Sequence, residues 1–89
     1  MKVPERFGEN VLRLRQARKL SQESLAETAK LHRTQISLIE RGKRKPRIET
    51  VLKLAGALEV SPESLFEGMR WDPRTADLVV EDLPELPRV

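Results

Sequence analysis

The stretch from Leu20 to Arg47, LSQESLAETAKLHRTQISLIERGKRKPR, constrains this chain more than any other. Gln22–Ala29 and Arg33–Arg41 both carry apolar residues at helical spacing, and only Lys30, Leu31 and His32 separate them. Three residues allow a tight turn and nothing longer. Five Lys/Arg then fall within the seven residues from Arg41 to Arg47. A short helix with a polar outer face, held close to its predecessor and followed at once by concentrated positive charge, requires an explanation.

The surrounding pattern is helical as well. Phe7, Val11 and Leu14 stand at i, i+4 and i+7 and predict a first helix over Glu5–Arg18, with Pro4 in the first turn, where its missing N–H costs nothing. Ser21 is a good N-cap for the second helix, whose apolar face is Leu25, Ala26 and Ala29. Ile36 and Ile39 give the third helix its inward face, Leu31 packs from the turn, and Gly42 ends the helix. Pro46 forbids helix through KRKPR. A fourth helix runs from Ile48 to Leu58; Gly56 inside it costs about 1 kcal/mol relative to Ala, so either close packing accounts for it or it is tolerated. A fifth is expected from Ser61 as N-cap and Pro62 at the first helical position, carrying Leu65 and Phe66 and ending at Gly68. From Met69 the helical period is lost. Arg70-Trp71 and Asp77–Val80, flanking DPRTA, can pair as a short hairpin, but a lone hairpin is marginal unless it docks on something. The expected division is therefore residues 1–68 as one helical domain and residues 69–89 as a tail.

Length and composition exclude several classes. Eighty-nine residues make one small domain that buries only about 60% of its unfolded surface, which leaves little room for a deep catalytic cleft. With no Cys and one His, disulfide frameworks and thiolate or zinc sites are not expected. No Gly-rich phosphate loop or nucleophile elbow is present, and the carboxylates at Glu5, Glu9, Glu63 and Glu67 lie near helix starts or on exposed faces, where they are ordinary; no enzyme, metal or cofactor is expected. The N-terminus does not read as a signal peptide, and no apolar run is long enough to span a membrane, so the expected location is the cytoplasm. The net charge of +3 is uneven: residues 1–68 carry 14 Lys/Arg against 9 Asp/Glu, residues 69–89 carry 3 against 5. The basic part suits a polyanion, and the tail does not.

The outer face of the third helix is the informative surface. Arg33, Thr34, Ser37 and Leu38 lie opposite Ile36 and Ile39, with Arg41 at the end. They are short and chemically varied, unlike the Glu/Lys lattice of an ordinary solvated helix. Arg bridges guanine O6 and N7, Thr and Ser bond several base edges, and Leu or a Thr methyl touches the thymine methyl, so this set suits a helix entering the DNA major groove. Lys43, Arg44, Lys45 and Arg47 follow where such a chain would leave the groove and meet phosphate. Gln22 opens the second helix, whose free N–H groups favour an anion. The plain alternatives are an exposed polar helix face and a solvated basic loop.

The segment LSQESLAETAKLHRTQISLIERGKRKPRIETVLKLAGALEVSPESLFEG resembles the Cro/phage-repressor class of helix-turn-helix proteins, and in particular the short stand-alone regulators that include restriction-modification controllers. The marks are LSQ opening the second helix, LA within it, IS-x-IERG in the third, and LxxLAxAL-x-V in the fourth. The resemblance implies an all-α, compact five-helix bundle of the lambda-repressor-like DNA-binding type with a short non-helical C-terminal tail. It implies base contacts from Arg33, Thr34, Ser37 and Leu38, and phosphate contacts from Gln22, His32, Arg41, Lys43, Arg44 and Lys45. It implies an ion pair between Arg15 and Glu40, and a homodimer formed through the last helices, for which Leu65, Phe66, Met69 and Trp71 are the candidates. Three positions depart from the family pattern: Lys30 and Glu59 stand where Gly is usual, and His32 stands where Ser or Thr usually caps the third helix. The Lys30 position wants φ > 0, at a cost of about 1 kcal/mol for a residue with a Cβ.

The function expected is a sequence-specific, double-stranded-DNA-binding transcriptional regulator acting as a homodimer on an inverted repeat. A second reading from a different class is the antitoxin of a toxin–antitoxin pair, with residues 69–89 wrapping a partner protein. A third is a non-specific architectural binder, which the varied face of the third helix argues against.

Overall fold

The structure, a computed structural model, describes residues 2–81. It contains four α-helices: α1 (Val3–Ala17), α2 (Gln22–Ala29), α3 (Arg33–Glu40) and α4 (Ile48–Leu58). A 3₁₀ helix (Pro62–Phe66) and an antiparallel hairpin of β1 (Met69–Asp72) and β2 (Asp77–Val80) follow. Expectations placed on residues 82–89 lie outside the described residues. Among the described residues no helix is long and apolar enough to cross a membrane.

The apolar periodicities converge on one core. Phe7 and Val11 from α1, Leu25 and Ala26 from α2, Ile36 and Ile39 from α3, and Leu54, Ala55 and Leu58 from α4 are all buried around it. Ser21 Oγ accepts the Ser24 N–H at 3.0 Å and so caps α2. At the start of α3, Gln35 Oε1 reaches back to accept the His32 N–H at 3.1 Å. One element of the close packing is a glycine: a Cβ on Gly8 would collide with the Ile39 carbonyl oxygen and lie 2.7 Å from that of Glu40. Helix α1 thus rests its backbone on the C-terminal end of α3.

The turn between α2 and α3 is left-handed. Lys30 takes φ 56°, ψ 47°, and Leu31 N–H closes onto the Ala26 carbonyl at 2.9 Å. The same device ends α4, where Glu59 has φ 56° and Val60 N–H bonds the Ala55 carbonyl at 3.0 Å. Both are αL terminations of the kind glycine usually supplies, here imposed on residues with side chains.

The expected fifth α-helix is a 3₁₀ helix of five residues. Ser64 N–H bonds the Ser61 carbonyl at 3.0 Å, an i→i+3 bond. Beyond it, the buried Asn10 donates to the carbonyls of Leu65 and Glu67, both at 3.0 Å. Gly68 then turns with φ 82°, and the Arg6 guanidinium packs against it so closely that a Cβ would fall 2.5 Å from Nη2. Asn10 takes up the carbonyls at the end of the 3₁₀ helix.

The hairpin pairs Met69 with Val80, Arg70 with Val79, Trp71 with Leu78 and Asp72 with Asp77. Asp72 is buried and holds the turn, its Oδ1 accepting the Arg74 N–H at 2.9 Å. Glu81 N–H bonds the Gly68 carbonyl at 2.7 Å and closes the base of the hairpin.

Candidate nucleic-acid interface

Helix α3 divides cleanly between inside and outside. Ile36 and Ile39 are fully buried, which fixes the rotation of the helix about its own axis. Arg33 and Thr34 are then exposed on the first turn, and Ser37 and Leu38 are half-buried one turn later. Arg41 is the exposed C-cap rather than the last helical residue, and its Nε folds back to the Ser37 carbonyl at 3.3 Å. Gly42 turns with φ 70° against Glu5 of α1, and Lys43 N–H bonds the Leu38 carbonyl at 2.8 Å. The loop is therefore anchored at its root while Lys43, Arg44, Lys45 and Arg47 are exposed. His32, the N-cap of α3, is also exposed.

The end of α3 is locked from beneath. Glu40 accepts two bonds from Arg15 of α1, Nε to Oε2 at 2.6 Å and Nη2 to Oε1 at 3.0 Å, and a third from Gln22 Nε2 at 3.0 Å. Arg15 also donates to the Leu20 carbonyl at 2.9 Å. The two side chains are only 13% and 4% exposed. One short network thus ties α1, the α1–α2 connection, the start of α2 and the end of α3. Gln22 is not a free ligand at the α2 N-terminus, because one of its amide hydrogens is already held by Glu40; the other is left for an anion.

The candidates for a subunit contact divide. Leu65 is fully buried in the core of its own chain, so it supports the 3₁₀ helix and offers no surface to a partner. Phe66 is 44% and Trp71 57% exposed, and Met69 is half-buried. Phe66 rests its ring on Phe7 with centroids 5.4 Å apart. Sequence reasoning missed Ile48, Leu52 and Leu78, all large, apolar and exposed. Ile48, Val51, Phe66, Leu78, Val3 and Pro4 line a groove of about 770 Å³. Asn10 and Gly8 were also missed; an Asn and a Gly interrupting the apolar face around Phe7 and Val11 were the available signal.

Two helices joined by a tight turn, the second rigidly held with a varied polar face and a basic loop behind it, make up a DNA-binding domain. The helix-turn-helix family profile matches residues 11–65, and the chain belongs to that family of DNA-binding transcriptional regulators. It is 43% identical over 66 residues to the control protein C.SmaI of Serratia marcescens, covering 74% of this chain and 79% of the relative. It is 42% identical over 62 residues to the control protein C.BamHI of Bacillus amyloliquefaciens, covering 68% of this chain and 76% of the relative. The crystal structure of the restriction-modification controller protein C.AhdI from Aeromonas hydrophila superposes with a TM-score of 0.70 at 41% identity, over 71% of this chain and 96% of that one. The antitoxin reading draws no support from these relatives.

Proposed function

We propose that this protein reads a specific DNA sequence with α3 in the major groove, and that it does so as a homodimer on an inverted repeat. Arg33, Thr34 and Ser37 contact base edges, with Leu38 against a thymine methyl. His32, Arg41, Lys43, Arg44 and Lys45, with the second amide hydrogen of Gln22, contact phosphate and set the register. Its similarity to control proteins supports a role as the controller of a restriction-modification system. Regulation follows from occupancy: a bound dimer at a promoter excludes or recruits polymerase.

The observation that carries this reading is the exposure of Arg33 and Thr34 on a helix whose opposite face, Ile36 and Ile39, is fixed in the core. Two such helices in a dimer would meet successive major grooves about 34 Å apart. Selection of bound sequences from a random duplex pool tests it. An inverted repeat with half-sites one helical turn apart is the expected result, and a pool that stays random under selection sinks the sequence-reading role.

A further inference from the structure

We propose that the chain's own C-terminal segment, residues 83–89, docks in the apolar groove beside the hairpin. Its leucines face the apolar walls, Asp82 and Glu85 face Lys2 and Lys45, and the docked segment competes with DNA for Lys45. The competition rests on the DNA-binding reading above; the docking does not.

The groove is apolar and open. Ile48 is 79%, Leu78 57% and Phe66 44% exposed, and all three line it. Phe66, with its ring against Phe7, gives the groove an aromatic wall. Single exposed apolar side chains are ordinary; several gathered around one cavity mark a surface that takes an occupant. Lys2 and Lys45 are also among the lining residues, and both are exposed. The occupant that fits has apolar side chains and negative charge.

The chain delivers such a segment to this place. Val80 lines the groove, and the Glu81 N–H is held by the Gly68 carbonyl at 2.7 Å. Residues 82–89 lie outside the described residues, follow directly, and read DLPELPRV. Leu83 and Leu86 each precede a proline, which steers both away from helix and toward extended or polyproline II backbone. Polyproline II has three residues per turn, and the segment repeats with that period. Leu83, Leu86 and Val89 share one side, Asp82, Glu85 and Arg88 a second, and Pro84 and Pro87 the third. An apolar stripe beside two carboxylates matches apolar walls beside two lysines. Aromatic-lined grooves suit this backbone because little entropy is lost in ordering it. Tethering at the edge of the groove also gives the segment an effective concentration on the order of millimolar there. That favours the chain's own segment over the same segment of a second copy.

Lys45 belongs both to the groove and to the basic loop after α3. Carboxylates placed beside it reduce the positive charge that the loop offers to phosphate. The acidic tail then acts as a built-in competitor at one edge of the DNA-facing surface.

The test uses the full chain, which has no cysteine. Arg88→Cys carries a nitroxide spin label, and paramagnetic broadening is read at the Ile48 and Val51 amides, with Thr28 on α2 as the reference. Strong broadening at Ile48 and Val51 that is lost when Leu83→Ser and Leu86→Ser are added is the expected result. Broadening that the two serines leave unchanged reports the tether alone and overturns the docking. Broadening of a nitrogen-15-labelled wild-type chain by an unlabelled, spin-labelled one would place the segment in a second copy's groove, and overturns it as well. For the competition the probe is a duplex of random sequence. The Leu83→Ser/Leu86→Ser variant changes no charge and is expected to bind it about threefold more tightly, a gain that Lys45→Ala removes. Equal affinities of wild type and the double variant overturn the competition. A chain that binds no duplex overturns the competition together with the DNA reading, while the broadening still decides the docking.

Discussion

Arg15 and Glu40 meet in a bidentate ion pair across 25 residues of sequence, with N–O distances of 2.6 and 3.0 Å and little solvent on either side chain. Arg15 comes from α1, which Gly8 lets lie directly against the end of α3. Glu40 is the last residue of α3. The pair therefore anchors the DNA-facing helix at the end opposite Arg33, and Gln22 adds a third bond to the same carboxylate.

Replacing Arg15 by Ala leaves the Glu40 carboxylate buried with only the Gln22 bond. Removing one member of a buried pair costs about 3–5 kcal/mol; Arg15 keeps slight exposure, and a loss near the lower end is expected. Urea denaturation measures it. A loss under about 1 kcal/mol, the value typical of exposed pairs, would show that the network does not lock α3.

Arg33→Ala is expected to weaken binding to the selected site by about 1–3 kcal/mol and to relax the preference at one base position. Arg33 is exposed, so the thermal stability of the variant should match that of wild type. Equal loss on selected and random duplexes in a titration would remove Arg33 from base reading.

Lys43→Ala is expected to act differently. Lys43 is exposed in the loop after α3, where its backbone, not its side chain, closes the turn. Affinity for all duplexes should fall together, and the slope of log K against log salt should shrink by about one unit per subunit. An unchanged slope would mean that this side chain touches no phosphate.

Lys30→Gly should stabilise the domain. Lys30 is held at φ 56° with its side chain exposed, and relief of the left-handed conformation outweighs the added freedom of the unfolded chain by about 0.5–1 kcal/mol. Glu59→Gly relieves the same strain at φ 56° but removes the exposed ion pair with Arg18, so its gain should be smaller. A fall in melting temperature for Lys30→Gly would show that the lysine side chain makes a contact worth more than the strain.

Much of the helical frame was legible in the residues. The bounds of α2 and α4 follow from local signals: Ser21 as a cap, the apolar period, and Pro46 before α4. The outer face of α3 was legible for the same reason, since burying Ile36 and Ile39 leaves Arg33 and Thr34 no direction but outward. The first helix was expected to begin at Glu5 and begins at Val3, a boundary difference of the size that helix ends commonly show. The fifth helix was misread because Ser61-Pro62 signals a helix start without fixing its type. Asn10, distant in sequence, bonds the Leu65 and Glu67 carbonyls at the end of that segment, a contact that no local signal records.

What the sequence determined by itself is the set of properties that depend on neighbours within a turn or two: where helices start, which face is apolar, and where charge gathers. Only the tertiary structure decided that Leu65 lies in the core rather than on a partner, that Gln22 bonds Glu40, and that Gly56 faces open space while Gly8 does not. Those outcomes depend on which surfaces meet after the chain has closed loops of tens of residues, and a local pattern of apolar and polar positions carries no record of the distance between two helices.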